Sequence, residues 1–384
     1  MRPLHRDRNL LLIFGVTLVA IMSVAGLMPA LPVMIRDLAI PASSIGWVIT
    51  AFTLPGVVMA PVGGVLADRL GRKKVLVAAL VLFGLAGGAC FFVHSAPALY
   101  ALRVLQGIGA GPLGVLNATL IGDLFEGRER ATAMGYNGGV QALGTALFPA
   151  IGGLLAQLGW NWPFLMNVLA LPLALAVALL LDNPEPRRSQ SFGTYMRAAL
   201  SRMRTRRVLS LFALTFGTFV LLFGAFVTYL PVLLHESFDA RPAEIGGIIS
   251  LSALTTALAA SQLGRLSARF GELRLLRTSF LLYIAAFLLM PRLPVLWLAA
   301  LPIVLLGLAQ GLNLPSLMTM LSGEAGLENR AAVMAVNGML LRLGQTVAPP
   351  LMGLVFAGFG LSSVFSAAAL LALSLLAVAW LSLR

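Results

Sequence analysis

Arg103 and Arg342 stand inside long apolar segments, the first in Tyr100-Ala-Leu-Arg103-Val-Leu-Gln106-Gly107 and the second in Leu340-Leu-Arg342-Leu-Gly344-Gln345. A cation in an apolar medium must face protein, water or a bound partner, so each guanidinium either binds a solute group or ties neighbouring chain through carbonyls. The acids do not balance them. All 14 Asp and Glu residues fall at the ends of apolar segments or between them. Proton chemistry would therefore rest on acids near segment ends, Asp37, Asp123 or Glu244, or on His94 or His235. Two buried arginines without a buried acid favour a neutral or anionic bound group over a cation. Enzymatic chemistry finds no foothold: there is no Walker A loop, no His-Glu-x-x-His and no Gly-x-Ser-x-Gly. Three histidines and one cysteine, Cys90, leave no metal site, no disulfide and no thiolate cluster. The reading has no catalytic residue, no cofactor and no metal.

The elements that must carry these residues follow from composition. Of 384 residues, 59% are hydrophobic and 11% charged, with a mean hydropathy of +0.94. A soluble domain carries about 25% charged residues, so the chain lacks the polar surface to meet water. Apolar runs long enough to span a bilayer lie near 10–34, 44–67, 74–94, 98–121, 132–156, 160–181, 208–233, 243–266, 272–290, 294–318, 331–356 and 360–382. The first is too long for a signal-peptide core and is taken as a span. The fold class is an all-α integral membrane protein, with twelve transmembrane helices in two pseudo-symmetric six-helix bundles: 1–181, a linker 182–207, and 208–384. Within the linker, Phe192 to Leu200 is partly amphipathic and suits the inner membrane face.

Charge placement sets the expected topology. The net charge of +13 gathers on one side of the spans, in clusters such as Arg69, Arg72, Lys73, Lys74 and Arg202 to Arg207. Only Arg36, Arg241 and Arg292 fall on the other side. By the positive-inside rule both termini are cytoplasmic, in a plasma (inner) membrane, and the electrostatic partner is the anionic inner leaflet rather than nucleic acid. A monomer is expected. The second half repeats the first at an offset of 200 residues: Gly64, Arg69 and Gly71 return as Gly264, Arg269 and Gly271, and Asn137, Gly144 and Pro149 as Asn337, Gly344 and Pro349. Parallel repeats of this kind place a solute site between two similar bundles.

The segment Gly64-Val-Leu-Ala-Asp68-Arg69-Leu-Gly71-Arg72-Lys73-Lys74 between the second and third spans resembles the signature of the major facilitator superfamily, G-x-L-a-D-r-x-G-r-k. Arg103-Val-Leu-Gln106-Gly107-Ile-Gly109 is similar to the same family's R-x-x-q-G-x-g, and Gly144-Thr-Ala-Leu-Phe148-Pro149-Ala-Ile-Gly152-Gly153 to its antiporter motif. Phe148 departs from that motif, where glycine precedes proline. The resemblance covers essentially the whole chain and is nearest to the twelve-span drug or solute:proton exporters. It implies efflux of a drug-like or small organic solute by alternating access, in exchange for protons.

On that resemblance, Gly64, Asp68, Arg69, Gly71, Arg72, Lys73, Asp123 and Arg130 form a conformational latch, with Ala268 in place of Asp68 in the second half. Arg103 serves either the proton pathway or helix contacts. First-span Gly26-Leu-Met-Pro29-Ala-Leu-Pro32 resembles a helix whose prolines unwind the outer end. Solute- or proton-pathway candidates are Arg103, Gln106, Asn117, Gln141, Asn313, Asn337, Arg342 and Gln345, with Ser23, Phe219 and Phe223 also on lining helices. Gly144, Pro149, Gly152 and Gly153 kink and pack the fifth span. The alternative cargo is an organic anion or sugar-like solute with Arg103 and Arg342 as counter-charges; a channel or a non-transporting sensor is the alternative of a different class.

Overall fold

The computed structural model describes residues 4–183, 205–324 and 330–383; the amphipathic segment 192–200 and most of the 182–207 linker lie outside them. Among the described residues there are twelve helices long and apolar enough to cross a membrane: α1 (Arg8–Asp37), α2 (Ala42–Leu70), α3 (Arg72–Phe92), α4 (Ala96–Leu124), α5 (Gly127–Ala156), α6 (Trp162–Leu180), α7 (Arg206–Phe238), α8 (Pro242–Phe270), α9 (Glu272–Arg292), α10 (Leu296–Glu324), α11 (Val333–Phe359) and α12 (Leu361–Leu381). They match the twelve expected runs, and most extend further, because a helix does not stop where its apolar stretch does. The chain divides into two compact units, Met1–Ile40 with Trp47–Ser189, and Pro41–Gly46 with Gln190–Arg384.

Each unit is held by the same set of neighbours. In the first, α3 packs on α4 and α6, and α1 on α4, α5 and α6; in the second, α9 packs on α10 and α12, and α7 on α10, α11 and α12. The first core takes Leu10, Ile13 and Val16 from α1, Leu76, Leu80 and Phe83 from α3, Leu113, Leu116 and Leu120 from α4, and Ala170, Ala174 and Val177 from α6. These spacings of three and four residues are one face of each helix. In α6 and α12 small residues share the buried face while several leucines lie outside. Ala170 and Ala174 of α6 are buried while Leu175 and Leu179 are exposed, and Ala368 and Ala372 of α12 are buried while Leu370 and Leu373 are exposed. Small residues between helices with large apolar ones outside is the pattern of packing in lipid, where close approach rather than water exclusion drives association.

Helix ends are satisfied locally. Asp7 caps α1 by accepting from the Leu10 amide at 3.0 Å, and Thr205 caps α7 by accepting from the Val208 amide at 3.3 Å. At the far end of α12, the Arg277 guanidinium of α9 donates to the carbonyls of Ala379 (3.1 Å) and Leu383 (2.9 Å) and lies 3.9 Å over the Trp380 ring. Arg277→Gln is expected to destabilise the protein by about 1–3 kcal/mol, because carbonyls at the end of α12 lose a charged donor. Thermal unfolding in detergent checks it, with Arg274→Gln at an exposed position as the neutral comparison.

Two helices depart from regular winding. In α1 the α-helix ends at Ala25, a 3-10 turn spans Met28–Ala30, and helix resumes at Leu31 with Pro32 in its first turn. The first helix is thus interrupted around Pro29 and continues in helical winding to Asp37. In α7, residues Leu222–Tyr229 form a π-helix, in which Thr228 Oγ1 donates to the carbonyl of Phe223, five residues back, at 2.6 Å.

Candidate functional site

At the tight connection between α2 and α3, Gly71 has φ of +95°, a backbone setting that L side chains rarely adopt and glycine takes freely. The turn brings Arg72, the first residue of α3, against two carboxylates. Its guanidinium makes a close ion pair with Asp123 and lies 3.6 Å from Asp68. Asp68 and Asp123 sit at the C-terminal ends of α2 and α4, and Arg72 at the N-terminus of α3. Every one of these charges is at the unfavourable end of its own helix dipole, so the three are stabilised by one another rather than by their helices. Arg72 is 10% exposed. Lys73 donates to the carbonyl of Leu181 at 2.8 Å, beyond the end of α6. Arg69 is exposed, and Gly64 is loosely placed, since a Cβ there would reach only Val115, at 3.8 Å. Arg130 stands apart from the acids: it donates to the carbonyls of Phe125 (2.9 Å) and Gly122 (2.5 Å), closing the end of α4.

Deeper in the first unit, Arg103 is fully buried. Its Nε donates to the carbonyl of Val48 (3.2 Å), and its Nη1 to Ser23 Oγ (2.9 Å) and Gln106 Oε1 (2.8 Å). Gln106 Nε2 donates to the same Ser23 hydroxyl at 3.0 Å, and the guanidinium lies 4.3 Å over the Phe52 ring. Arg103 therefore cross-links α1, α2 and α4 from inside. A second polar chain runs through Asn117, whose Nδ2 donates to the carbonyl of Ile13 (3.2 Å) and to Thr17 Oγ1 (2.6 Å), and the Thr17 hydroxyl reaches Asn137 Oδ1 at 2.6 Å. Thr17 and Asn137 are absent from the candidates named by sequence; the repetition of Asn137 as Asn337 was the available signal. Gln141 is exposed on α5.

The glycines of the two helix motifs are spacing devices. A Cβ at Gly107 would strike the Phe52 carbonyl of α2 and at Gly111 would stand 2.6 Å from Met59 Cβ of α2, whereas at Gly109 it would stand 2.7 Å from the Phe83 amide of α3. Alternate glycines of α4 thus seat two neighbours. On α5, Gly144 meets Leu18, and Gly152 lies directly on the Gly26 backbone where α1 breaks. Pro149 and Gly153 are buried beside them, and Phe148 packs against the core.

In the second unit Asn313 accepts from Thr218 Oγ1 (3.1 Å) and donates to Ser279 Oγ (2.8 Å), joining α7, α9 and α10. Asn337 is buried with its Nδ2 3.6 Å from Met318 Sδ. Arg207 pairs with Glu324 at 2.9 Å, while Ala268 is exposed on α8. Gly344 lies against α7, where an added Cβ would stand 2.8 Å from the Phe216 carbonyl. Arg342 and Gln345 are half-buried on α11. Among the described residues no group of three His, Cys, Asp or Glu side chains is placed to hold a metal ion.

The multidrug transporter protein MdtP of Bacillus subtilis is 34% identical over 190 residues, which is 49% of this chain and 34% of MdtP. The quinolone resistance protein NorA of Staphylococcus aureus is 31% identical over 186 residues, 48% of this chain and 46% of NorA. The matches thus span between a third and a half of these curated relatives. The crystal structure of the nucleoside transporter NupG superposes with a TM-score of 0.78 at 17% identity, covering 97% of this chain and 99% of that one, a likeness in fold. The family model described as Major Facilitator Superfamily matches residues 13–242 and 231–384. With a match over nearly the whole length, twelve membrane-length helices and two units paired alike, the chain belongs to the Major Facilitator Superfamily.

Proposed function

We propose that this protein is a secondary transporter that exports small, drug-like organic solutes across the plasma membrane by alternating access, in exchange for protons. The observation that carries the reading is the Asp68–Arg72–Asp123 cluster at the Gly71 turn. Charges that oppose their own helix dipoles and persist only as a set form a contact that one conformation keeps and another releases, and such a contact biases a two-state equilibrium. Efflux as the direction draws on the likeness to a multidrug transporter and a quinolone resistance protein. The cationic ends, with Arg69, Arg72, Lys73 and Lys74, face the cytoplasm in this reading. Protons are carried in this reading by acids at helix ends, Asp37, Asp123 or Glu244, each of which is engaged at rest: Asp37 with Arg36 at 2.8 Å, Asp123 with Arg72, and Glu244 with the Arg241 amide at 2.8 Å.

The test is proton flux in proteoliposomes of the purified protein, read by a trapped pH dye while lipophilic cations, neutral solutes and organic anions are added in turn. Solute-triggered proton movement in the wild-type protein is the expected result. Solute uptake with no proton movement would remove the coupling, and no uptake of any member of the panel would remove the efflux reading.

A further inference from the structure

We infer that Arg342 is the binding point for an anionic oxygen group, a carboxylate or similar oxyanion, on the transported solute; the inference rests on the transporter reading above. Arg342 lies far inside α11, about 14 Å from its first residue and about 25 Å from its last at 1.5 Å per residue. Neither end is within reach of an arginine stem. Its side chain is half-buried, and among the described residues it has no hydrogen bond, ion pair or ring contact.

A permanently charged group with five donors in a fixed fork does not sit bare at that depth without cost. Among the described residues no acid pairs with it, and the ion pairs of Arg8, Arg36, Arg72 and Arg207 all lie at helix ends. Arg103 shows how this fold encloses an arginine that serves structure: full burial, two side-chain acceptors, one carbonyl and an aromatic face. Arg342 has none of these. The two arginines, alike in their sequence setting, therefore differ: Arg103 is enclosed and held by three acceptors, with its Nη2 alone unpartnered, whereas Arg342 has no side-chain partner among the described residues and is the better placed counter-charge for cargo.

Its surroundings on α11 suit an occupant. Gln345, three residues on and so on the same face, is half-buried and supplies a neutral donor without a competing charge. Gly338, four residues back on that face, has nothing within 4 Å of where a side chain would begin. Room, a forked cation and an amide thus follow one another along one stripe. An Arg fork pairs a carboxylate with two parallel bonds, which a lysine reproduces only as a point charge.

The experiment uses the full-length protein in two readouts, thermal stabilisation in detergent and flux in proteoliposomes, with benzoate, 1-naphthoate, their amides and inorganic phosphate as probes. Wild type is expected to bind and move the carboxylates in preference to the amides. Arg342→Lys retains part of that preference, and Arg342→Gln loses it, with about a tenfold or greater fall in apparent affinity for carboxylates and unchanged affinity for the amides. Equal affinity for carboxylates and amides in wild type, or an unchanged preference in Arg342→Gln, would overturn the inference and leave the transporter reading intact. Stabilisation by phosphate matching that by the carboxylates would assign the site to inorganic anions and overturn the organic cargo. Arg342-dependent carboxylate binding without flux of any probe would instead sink the transporter reading while the anion site stands. Retention of partial function by Arg342→Lys separates lost binding from a failure to fold.

Discussion

Gly152→Ala is expected to cost about 3 kcal/mol or more and to lower the thermal midpoint in detergent by about 5 °C or more, with transport lost in parallel. A single methyl has this effect because of what it meets. The added carbon would fall on the carbonyl of Gly26, with its Cα 2.7 Å away, so backbone opposes backbone and no side chain can rotate clear. The helices α1 and α5 must then separate at the point where α1 is already interrupted. Gly139→Ala on the same helix is the comparison, since nothing stands within 4 Å of a Cβ there. Alanine favours helix over glycine by about 1 kcal/mol, so that variant is expected to be neutral or more stable. Equal midpoints for the two variants would show that α1 and α5 do not approach as closely as described.

Arg72→Gln is expected to reduce transport about tenfold or more while membrane insertion and expression persist. It removes the cation that, among the described residues, pairs with Asp68 and Asp123, both at helix C-termini where a negative charge is disfavoured. Breaking a buried pair costs about 3–5 kcal/mol; here Asp123 is 27% and Asp68 40% exposed, which reduces the loss, and about 1.4 kcal/mol already shifts a conformational equilibrium tenfold. Asp123→Asn should follow in severity, being the closer partner. A double-mutant cycle separates a shared interaction from independent damage. Arg72→Gln with Asp123→Asn should be no worse than Arg72→Gln alone, and strictly additive losses would mean that the pair does not act as a unit.

The legible part of this molecule was what composition and local pattern dictate. Twelve apolar runs became twelve helices because a bilayer leaves the backbone no other way to satisfy itself. The Gly71 turn could be read because glycine at positive φ, followed by a run of cations, has a local cause. What Arg103 and Arg342 do could not be read. Both are single arginines in apolar helices, and their difference lies in Ser23, Val48 and Phe52, residues of other helices 55 to 80 positions away along the chain for the two hydrogen-bond partners. The partner of Gly152 was equally hidden, since a glycine motif announces close approach without saying to what. Arg130, grouped by sequence with the charged latch, donates to the carbonyls of Gly122 and Phe125 at the end of α4, a contact that no sequence pattern announces.

The departures in α1 and α7 fall at matching places in the two repeats, around Met28–Ala30 and Leu222–Tyr229, yet in opposite senses. A 3-10 turn winds the chain tighter than an α-helix and a π turn winds it more loosely, while each residue of a regular helix advances by about 100°. Beyond the break, one rod is phase-advanced and the other phase-delayed. Residues that a helical wheel aligns before the break therefore lose that alignment after it, and each of these helices offers two faces rather than one. Pro32 and Pro231, each in the first turn of a resumed helix, mark where the second face begins. The two halves share a sequence repeat and a plan of helix neighbours, while the opposite change in winding gives the portions beyond the breaks different registers, so they present different faces.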